Sequence, residues 1–280
     1  MPVALVTGAS RGVGGAAALA LAEAGFDVAL SARTLDEGEL RDHSPTIART
    51  DTRPLSGSLQ QTATAITKLG RRALVVPADL LDRASLKSTV STVLAKWGRI
   101  DALVLAGSYV GPGVADRVVD TSLETLNAQM EANVMAPLTL IKAVLPQMLE
   151  RHGGTIVLIT SPVATTETID ATSVSDVGLG EVMSRSAAQR IAPVLATELS
   201  GTGIRVCNVL PCPTATERVV LAAADAGRDT SDLAPPEVVG RVVAWICTNA
   251  LADRLNGRTV DAALVCEELG LVPGWPLVRA

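Results

Sequence analysis

Short apolar segments rich in β-branched residues alternate along the chain with longer segments of helical periodicity. In the short segments, hydrophobic residues occupy both alternate sets of positions, which is typical of strands that are covered on both faces. Seven strands are predicted, the last from a weaker pattern: Val3–Thr7, Asp27–Ser31, Ala73–Pro77, Asp101–Ala106, Thr155–Thr160, Ile204–Leu210 and Arg258–Ala263.

The segments between the strands predict helices with recognisable starts. A Gly-rich turn leads into the first helix, a serine opens a capping box for another, and an aspartate can cap a third. Crossover helices between consecutive strands make the strands run parallel and cover both faces of the sheet. The first predicted helix follows the Gly-rich turn and ends at Ala24, and the next two extend from Ser58 to about Leu69 and from Asp82 to about Trp97. Two more cover Ser122–Leu149, which is interrupted at Pro137 and Pro146, and Gly180–Ser200.

This alternation predicts an α/β fold, a Rossmann-type doubly wound parallel sheet of about seven strands with helices on both faces. No change in composition marks a linker, so residues 1–280 are expected to form a single domain. Residues 34–57 interrupt the alternation as a long, charged, irregular insertion, for which a surface excursion is favoured over a substrate lid. Ser161–Asp176, rich in Pro, Ser, Thr and Asp, is a second irregular segment.

The composition excludes several classes of protein. With 48% hydrophobic and 19% charged residues and a mean hydropathy of +0.35, the chain is too apolar for intrinsic disorder. Its net charge of −5 argues against a nucleic-acid partner, which needs a basic surface. The longest apolar candidate, Val13–Ala22, is shorter than the ~18 residues that span a membrane, and no basic segment precedes the N-terminal apolar run. We therefore expect no membrane partner and a cytoplasmic location.

The cysteines and histidines give no pattern typical of a metal site or a disulfide. No CxxC pair occurs among the four cysteines, and His43 and His152 are distant from them in sequence. Small buried thiols are therefore favoured over zinc ligands or disulfides. No metal is expected, and a reducing cytoplasm fits this use of cysteine.

A Gly-rich turn, Thr7-Gly8-Ala9-Ser10-Arg11-Gly12-Val13-Gly14, directly follows the first strand. Gly8 permits a tight turn, Gly12 lets backbone approach a diphosphate, and Gly14 lets the helix pack against the sheet. The N-terminus of the following helix offers free N–H groups and the positive end of its dipole. Dinucleotide binding is therefore favoured over a purely structural turn, with contacts from Gly8, Ser10, Arg11, Gly12, Val13 and Gly14.

The end of the second strand bears on the type of dinucleotide. An NAD site places a carboxylate there for the adenosine ribose, whereas a 2′-phosphate needs a cation. The segment Leu30-Ser31-Ala32-Arg33 has no carboxylate and provides the Arg33 guanidinium, and Arg11 could supply a second cation. This favours NADP(H) over NAD(H); the alternative is that both arginines are solvated surface residues.

The spacing Gly8-x3-Gly12-x-Gly14 resembles the short-chain dehydrogenase/reductase family, and the resemblance extends along nearly the whole chain. It implies hydride transfer between a nicotinamide and a carbonyl carbon, and a homodimer or homotetramer. On the cofactor side, the resemblance assigns an adenine contact to Asp79-Leu80 and a further cofactor contact to Ala106-Gly107, in a segment that lacks the family's asparagines. It assigns the catalytic serine to Ser161 and an active-site helix position to Asn133. Near the nicotinamide, it assigns the preceding loop to Pro211, with Cys212 replacing a glycine, and a carboxamide contact to Thr216.

The family's Tyr-x-x-x-Lys pair, whose tyrosine donates the proton, is absent from this sequence. The single tyrosine is Tyr109, and the four lysines lie outside the helix after the serine strand. Counting back from Ala196–Leu199, which resembles the family's helix end, places Arg185 at the lysine position and Glu181 at the tyrosine position. The resemblance therefore assigns the catalytic positions to Ser161, Glu181, Arg185 and Asn133, and a further cofactor contact to Arg185.

Glu181 and Arg185 are spaced i,i+4 and can form an ion pair on one helix face. An ordinary glutamate titrates near pH ~4.3, so about one molecule in 500 is protonated at pH 7. A neighbouring guanidinium lowers the pKa of the carboxyl further, whereas an effective general acid needs a pKa of about 6–7. The family's usual route for the proton is therefore not expected here.

Three functions are compatible with the sequence. The favoured one is an NADP(H)-dependent oxidoreductase that exchanges the substrate proton through Glu181, Ser161, Tyr109 or water. For Tyr109, however, a structural role as a half-buried aromatic residue of a loop is favoured over a role in proton transfer. The second is a dinucleotide-binding homologue without turnover, which acts as a sensor or an assembly partner. The third is a lyase or isomerase in which the Glu181 carboxylate acts as a base.

Overall fold

All seven predicted strands lie in one parallel sheet. The computed structural model describes residues 1–165 and 177–275. In these ranges the strands are β1 (Val3–Thr7), β2 (Asp27–Ser31), β3 (Ala73–Val75), β4 (Ala102–Leu105), β5 (Gly154–Ile159), β6 (Ile204–Leu210) and β7 (Thr259–Asp261). Their order across the sheet is β3-β2-β1-β4-β5-β6-β7, with every neighbouring pair parallel.

Helices cover both faces of this sheet. They are α1 (Gly12–Glu23), α2 (Leu59–Lys68), α3 (Arg83–Trp97), α4 (Leu123–Met130), α5 (Ala136–Glu150), α6 (Leu179–Gln189), α7 (Ile191–Glu198), α8 (Glu217–Asp225), α9 (Pro236–Thr248) and α10 (Ala262–Leu269). The two predicted caps are confirmed, because the Ser58 hydroxyl accepts from the Gln61 N–H and the Asp82 carboxylate from the Ala84 and Ser85 N–H groups.

Alternate residues of the strands face two separate hydrophobic cores. In β1, Ala4 and Val6 belong to the core that contains α1 and α9, whereas Val3 and Leu5 belong to the core that contains α3 and α5. Burial on both faces explains the continuous apolar pattern of these strands. The predicted Rossmann-type doubly wound α/β fold is confirmed.

The structure corrects the predicted ends of several elements. Strand β7 ends at Asp261 because the Asp261 carboxylate accepts from the Leu264 N–H and so begins α10. The predicted helix Ser122–Leu149 consists of α4 and α5 joined by a π-helical turn at Glu131–Met135, and Pro146 lies inside α5 without ending it. The predicted helix Gly180–Ser200 divides at Arg190 into α6 and α7.

The longest apolar helical stretch is not Val13–Ala22, as predicted, but Leu123–Glu150. Its 28 residues are long and apolar enough to cross a membrane by length and composition alone. Half of its most apolar window is buried inside the protein, a property that it shares with core helices of globular proteins. The absence of a membrane partner stays a prediction.

The insertion at residues 34–57 contains no helix or strand, as predicted, but it is tied to distant parts of the chain. The Arg53 guanidinium bonds the carboxylates of Asp51 and Asp225, the last residue of α8, at 2.6 Å each. The Ala115 N–H donates to the Pro45 carbonyl at 2.9 Å. The insertion therefore passes from the loop after β2 to the loop after β4 and to α8.

Candidate active site

A cavity of about 490 Å³ lies at the carboxyl ends of the strands. Its walls come from the loops after β1, β2, β4, β5 and β6. The strand order reverses between β1 and β4, and the crevice at such a reversal is where doubly wound sheets bind ligands. The structure therefore brings the predicted dinucleotide turn and most of the predicted catalytic residues to one cleft.

The Gly-rich turn has the backbone shape that the sequence predicted. Gly8 and Gly12 have φ values of +66° and +54°, in the left-handed region that favours glycine. A Cβ atom on Gly14 would lie 2.2 Å from the Gly8 carbonyl oxygen, so only glycine allows α1 to start so close to the sheet. The side chain of Arg11, the residue before α1, makes no capping hydrogen bond to the first turn of the helix, so the N–H groups of that turn are not satisfied by their own N-cap residue. This cradle fits a diphosphate in shape and in polarity.

One carboxylate lies against this cradle. The Gly12 N–H donates to Glu217 Oε1 at 3.4 Å, from the first turn of α8. The other oxygen, Oε2, is buried and has no hydrogen-bond partner within the described ranges. A carboxylate in this position takes one of the N–H groups that a diphosphate needs and would repel that diphosphate. The Glu217 side chain must therefore move when a dinucleotide enters the turn.

The two arginines predicted at the 2′-phosphate have different surroundings. The Arg11 guanidinium donates to the carbonyl oxygens of Leu55, Ser56 and Gly57 in the insertion, at 3.2, 2.8 and 2.5 Å. Burial lowers the pKa of Arg11, and these bonds hold it in place. The Arg33 side chain lines the cleft and has no hydrogen-bond partner in the described part of the chain. Arg33 is therefore the cation that is free to meet an added phosphate.

The insertion forms a wall of the cleft. It contributes Glu39, Arg41, Asp42, His43, Arg53 and Leu55 to the lining. The favoured interpretation as a surface excursion is corrected here, because the insertion lines the cleft and is bonded to Arg11 of the Gly-rich turn and to Asp225 of α8. Asp79 and Leu80 line the same end of the cleft, where the resemblance placed the adenine.

The predicted pair of Glu181 and Arg185 forms an ion pair in the cleft. Arg185 Nε donates to Glu181 Oε1 at 2.8 Å, and the two side chains are only 15% and 12% exposed. Asn133, in the π-helical turn, donates from Nδ2 to Ser184 Oγ at 2.9 Å and to Glu181 Oε2 at 3.5 Å. Both Glu181 oxygens are thus held, one by a guanidinium and one by an amide.

Asn133 also fixes the loop after β4. Its Oδ1 accepts from the Tyr109 N–H at 2.7 Å. The Tyr109 hydroxyl donates to the Pro112 carbonyl at 3.0 Å, and burial raises the pKa of this phenol. Its proton is therefore held by the loop, and the raised pKa makes Tyr109 a weaker acid than an ordinary tyrosine.

The remaining predicted residues also line the cleft: Ser10, Val13, Ala106, Gly107, Ser161, Pro211 and Thr216. Ser161 begins a short 3₁₀ turn directly after β5. Thr216 precedes α8, and its Cγ2 would lie 3.3 Å from a Cβ on Gly12. The later part of the irregular segment Ser161–Asp176, residues 166–176, lies outside the described residues.

Sequence reasoning missed two charged cleft residues on α8, Glu217 and Arg218. Arg218 lines the cleft together with Glu181 and Arg185, and burial lowers the pKa of its guanidinium. The signal that could have found both was their position, since they directly follow Thr216 in the sequence. No helix was predicted there, so their direction into the cleft was not foreseen.

The four cysteines are free thiols, and Cys207 and Cys266 are buried as predicted. Burial raises the pKa of Cys207 to about 12 and also raises the pKa of Cys212, which lines the cleft. Cys212 is therefore a weak nucleophile. No group of three or more His, Cys, Asp or Glu residues within residues 1–165 and 177–275 could hold a metal ion.

Solved structures share this architecture. A protein from Burkholderia xenovorans described as a short-chain dehydrogenase/reductase superimposes with a TM-score of 0.75, with 22% identity over 93% of this chain and 94% of that chain. A protein from Sinorhizobium meliloti described as a short-chain alcohol dehydrogenase gives a TM-score of 0.73 with 24% identity and the same coverage. At these identities the likeness is one of fold.

Sequence comparisons identify the family. The dehydrogenase/reductase SDR family member 7 of Homo sapiens is 34% identical over 213 residues, which is 75% of this chain, and the chain spans about half, 55%, of that protein's length. A short chain dehydrogenase of Pseudocercospora fijiensis is 30% identical over 93% of this chain and 79% of that protein. The family model for short chain dehydrogenases matches residues 52–226. The chain belongs to the short-chain dehydrogenase/reductase family.

Proposed function

We propose that this protein is an NADP(H)-dependent oxidoreductase that moves a hydride between the cofactor and a carbonyl or hydroxyl carbon of a small molecule. One observation carries the proposal: a single cleft combines a diphosphate cradle with Ser161 and the Glu181–Arg185 pair, whose glutamate accepts a bond from the buried Asn133. The absence of the family's Tyr/Lys pair means that the proton takes another path. We propose that this path runs through Glu181.

Each part of the cleft then has a role. The Gly-rich turn and the N-terminus of α1 would hold the diphosphate, Arg33 the 2′-phosphate, and Asp79 and Leu80 the adenine. Bound NADP(H) supplies or accepts the hydride. The Ser161 hydroxyl would donate to the substrate oxygen and orient it.

The hydrogen bonds of Glu181 define what its carboxyl group can do. Arg185 holds Oε1, and the longer bond from Asn133 leaves Oε2 as the oxygen that can exchange a proton with substrate or with an intervening water. Arg185 pairs with Oε1, and the free side of Oε2 on the Glu181 carboxylate is a hydrogen-bond acceptor, which can take a proton from a substrate hydroxyl. We therefore propose that alcohol oxidation, in which the base takes the hydroxyl proton, is the direction this site supports best.

Replacement of Arg33 with alanine is expected to weaken NADPH binding by at least about tenfold and NADH binding by less than twofold. The reason is that a guanidinium contributes to a phosphate through charge-assisted bonds, and NADH lacks that phosphate. Isothermal titration calorimetry with both cofactors measures the difference. Arg117→Ala is the matched control, because Arg117 is paired with Asp120 outside the cleft. An equal loss for the two cofactors in Arg33→Ala would remove the assignment of Arg33 to the 2′-phosphate.

Replacement of Glu181 with glutamine is expected to lower turnover at least a hundredfold in a panel of alcohols with NADP⁺ and carbonyls with NADPH. An amide cannot exchange the proton, whereas the shape of the site is kept, and general acid–base groups contribute about 10²–10⁴-fold. Steady-state absorbance at 340 nm measures the rate. Glu237→Gln, on the exposed start of α9, is the control. Unchanged turnover in Glu181→Gln would move the proton path to another group.

A homologue that binds dinucleotide without turnover is the second candidate, and the carboxylate of Glu217 on the Gly12 N–H favours it. The double variant Glu181→Tyr with Arg185→Lys separates the two. Tight cofactor binding with no turnover in the panel for the original chain, and turnover gained in the double variant, would support the non-catalytic homologue. The cytoplasmic location, the single domain and the homodimer or homotetramer also stay predictions.

A further inference from the structure

Arg218 is a cleft residue for which the proposed reaction has no use. It lies in the first turn of α8, where the positive end of the helix dipole disfavours a cation, so its position is not explained by helix stability. Its guanidinium lines the cleft and has no hydrogen bond or ion pair within 4.0 Å to any residue in the described ranges. An arginine in this state has five N–H donors available to a ligand.

The described charges around Arg218 do not balance. Among the residues that the structure describes, the ionised groups whose charges act on Arg218 are Glu181 and Arg185, and these two already bond each other at 2.8 Å. The cluster of Glu181, Arg185 and Arg218 therefore carries two guanidinium charges against one carboxylate. Crowding by the surrounding protein removes water from Arg218 and lowers its pKa, but a guanidinium keeps its charge at neutral pH. A monoanionic ligand would neutralise the remaining charge.

We infer that the substrate of this cleft carries a carboxylate and that Arg218 binds it. The planar fork of a guanidinium matches a carboxylate with two parallel hydrogen bonds. One excess positive charge suits a carboxylate better than a phosphate dianion. Arg218 is two residues from Thr216 and lines the same cleft as Glu181, so a carboxylate bound to it would lie in the cavity where the substrate reacts. A small hydroxy acid and its oxo acid fit these conditions.

This inference rests on the proposed function, because it takes the cleft as the place where the substrate reacts. The probes are phenylglyoxylate, an aromatic oxo acid, and its methyl ester, which has nearly the same shape and no charge. Their dissociation constants are measured by ligand-observed NMR without any cofactor. The original chain is expected to bind the acid at least about tenfold more tightly than the ester, since bonds to charged groups are the stronger ones.

Arg218→Gln is expected to bring the ratio of acid to ester affinity close to one by weakening the acid alone. Arg218→Lys, which keeps the charge and loses the fork, is expected to keep part of the preference. Arg117→Gln is the matched control, because Arg117 is 79% exposed and paired with Asp120 outside the cleft. If Arg218→Gln does not fold, the ratios for the original chain and Arg218→Lys decide.

Three results would overturn the inference: equal binding of acid and ester by the original chain, an unchanged ratio in Arg218→Gln, or displacement of the acid by an equal concentration of inorganic phosphate. The proposed function is tested separately by titration with NADPH. A strong acid preference without NADPH binding would leave a carboxylate site and remove the oxidoreductase. NADPH binding without acid preference would leave the oxidoreductase and remove the role of Arg218.

Discussion

Glu217→Gln is expected to tighten binding of both NADPH and NADH by about ten- to a hundredfold. The Glu217 carboxylate accepts from the Gly12 N–H at 3.4 Å, which is where an oxygen of the shared diphosphate would be bound. Before a dinucleotide binds, this charge-assisted bond must break and the carboxylate must move away. Hydrogen bonds to charged groups contribute about 1.5–3 kcal/mol, and 1.4 kcal/mol corresponds to tenfold in affinity.

The glutamine variant keeps the size of the side chain and removes its charge. The amide oxygen can still accept from Gly12, but that neutral bond is weaker and no longer repels the diphosphate. Calorimetric titration of both cofactors gives the change, and the gain should be the same for each because both contain the diphosphate. Glu237→Gln, also in the first turn of a helix, α9, removes an exposed carboxylate and is expected to change affinity less than twofold. Weaker binding in Glu217→Gln would mean that the carboxylate helps to build the site.

Gly14→Ala is expected to lose about 3 kcal/mol of the free energy of unfolding and all measurable dinucleotide binding. The added methyl group would meet the Gly8 carbonyl oxygen at 2.2 Å and the Thr7 oxygen at 3.0 Å, and both are backbone atoms that cannot turn aside. The start of α1 must therefore shift away from the sheet. Overpacking of this kind costs about 1–3 kcal/mol, and we expect the upper end because no flexible side chain can yield.

The neighbouring residue provides a matched control. A methyl group on Gly15 has no neighbouring atom closer than the Ala9 oxygen at 3.6 Å, which is ordinary van der Waals contact. Gly15→Ala is therefore expected to raise the free energy of unfolding slightly, by about 0.5–1 kcal/mol, because alanine is the better helix former. Urea unfolding followed by circular dichroism measures both variants. Equal effects of the two substitutions would contradict the close approach of α1 to the sheet.

The sheet could be predicted from sequence because its signals are local. Each strand is a short apolar segment, and these segments alternate with helices along the chain. The helix caps at Ser58 and Asp82 bond N–H groups no more than three residues away. The Gly-rich turn was also predictable from a local signal, because its glycines are required by positive φ angles and by the close approach of Gly14 to the Gly8 carbonyl oxygen within the same segment. The i,i+4 pair of Glu181 and Arg185 follows from helix geometry once the register is known.

The parts that sequence reasoning missed depend on contacts between distant segments. Arg11 was assigned to a phosphate because of its place beside the turn, and its guanidinium is instead bonded to carbonyl oxygens 44 to 46 residues away. The insertion follows a path set by Asp225, 172 residues beyond Arg53. Glu217 and Arg218 reach the cleft from the first turn of α8, which follows the loop after β6. No pattern within a single segment reports such contacts.

Calorimetric titration of the unmodified chain with NADPH and NADH, side by side, tests the central claim that the turn between β1 and α1 binds a dinucleotide. We predict one site per chain for each cofactor, with NADPH bound at least about tenfold more tightly because of Arg33. The same titrations of Gly14→Ala should give no heat of binding. Absence of binding by both the unmodified chain and Glu217→Gln would contradict the claim, because the cradle would then fail even without the carboxylate that lies against it.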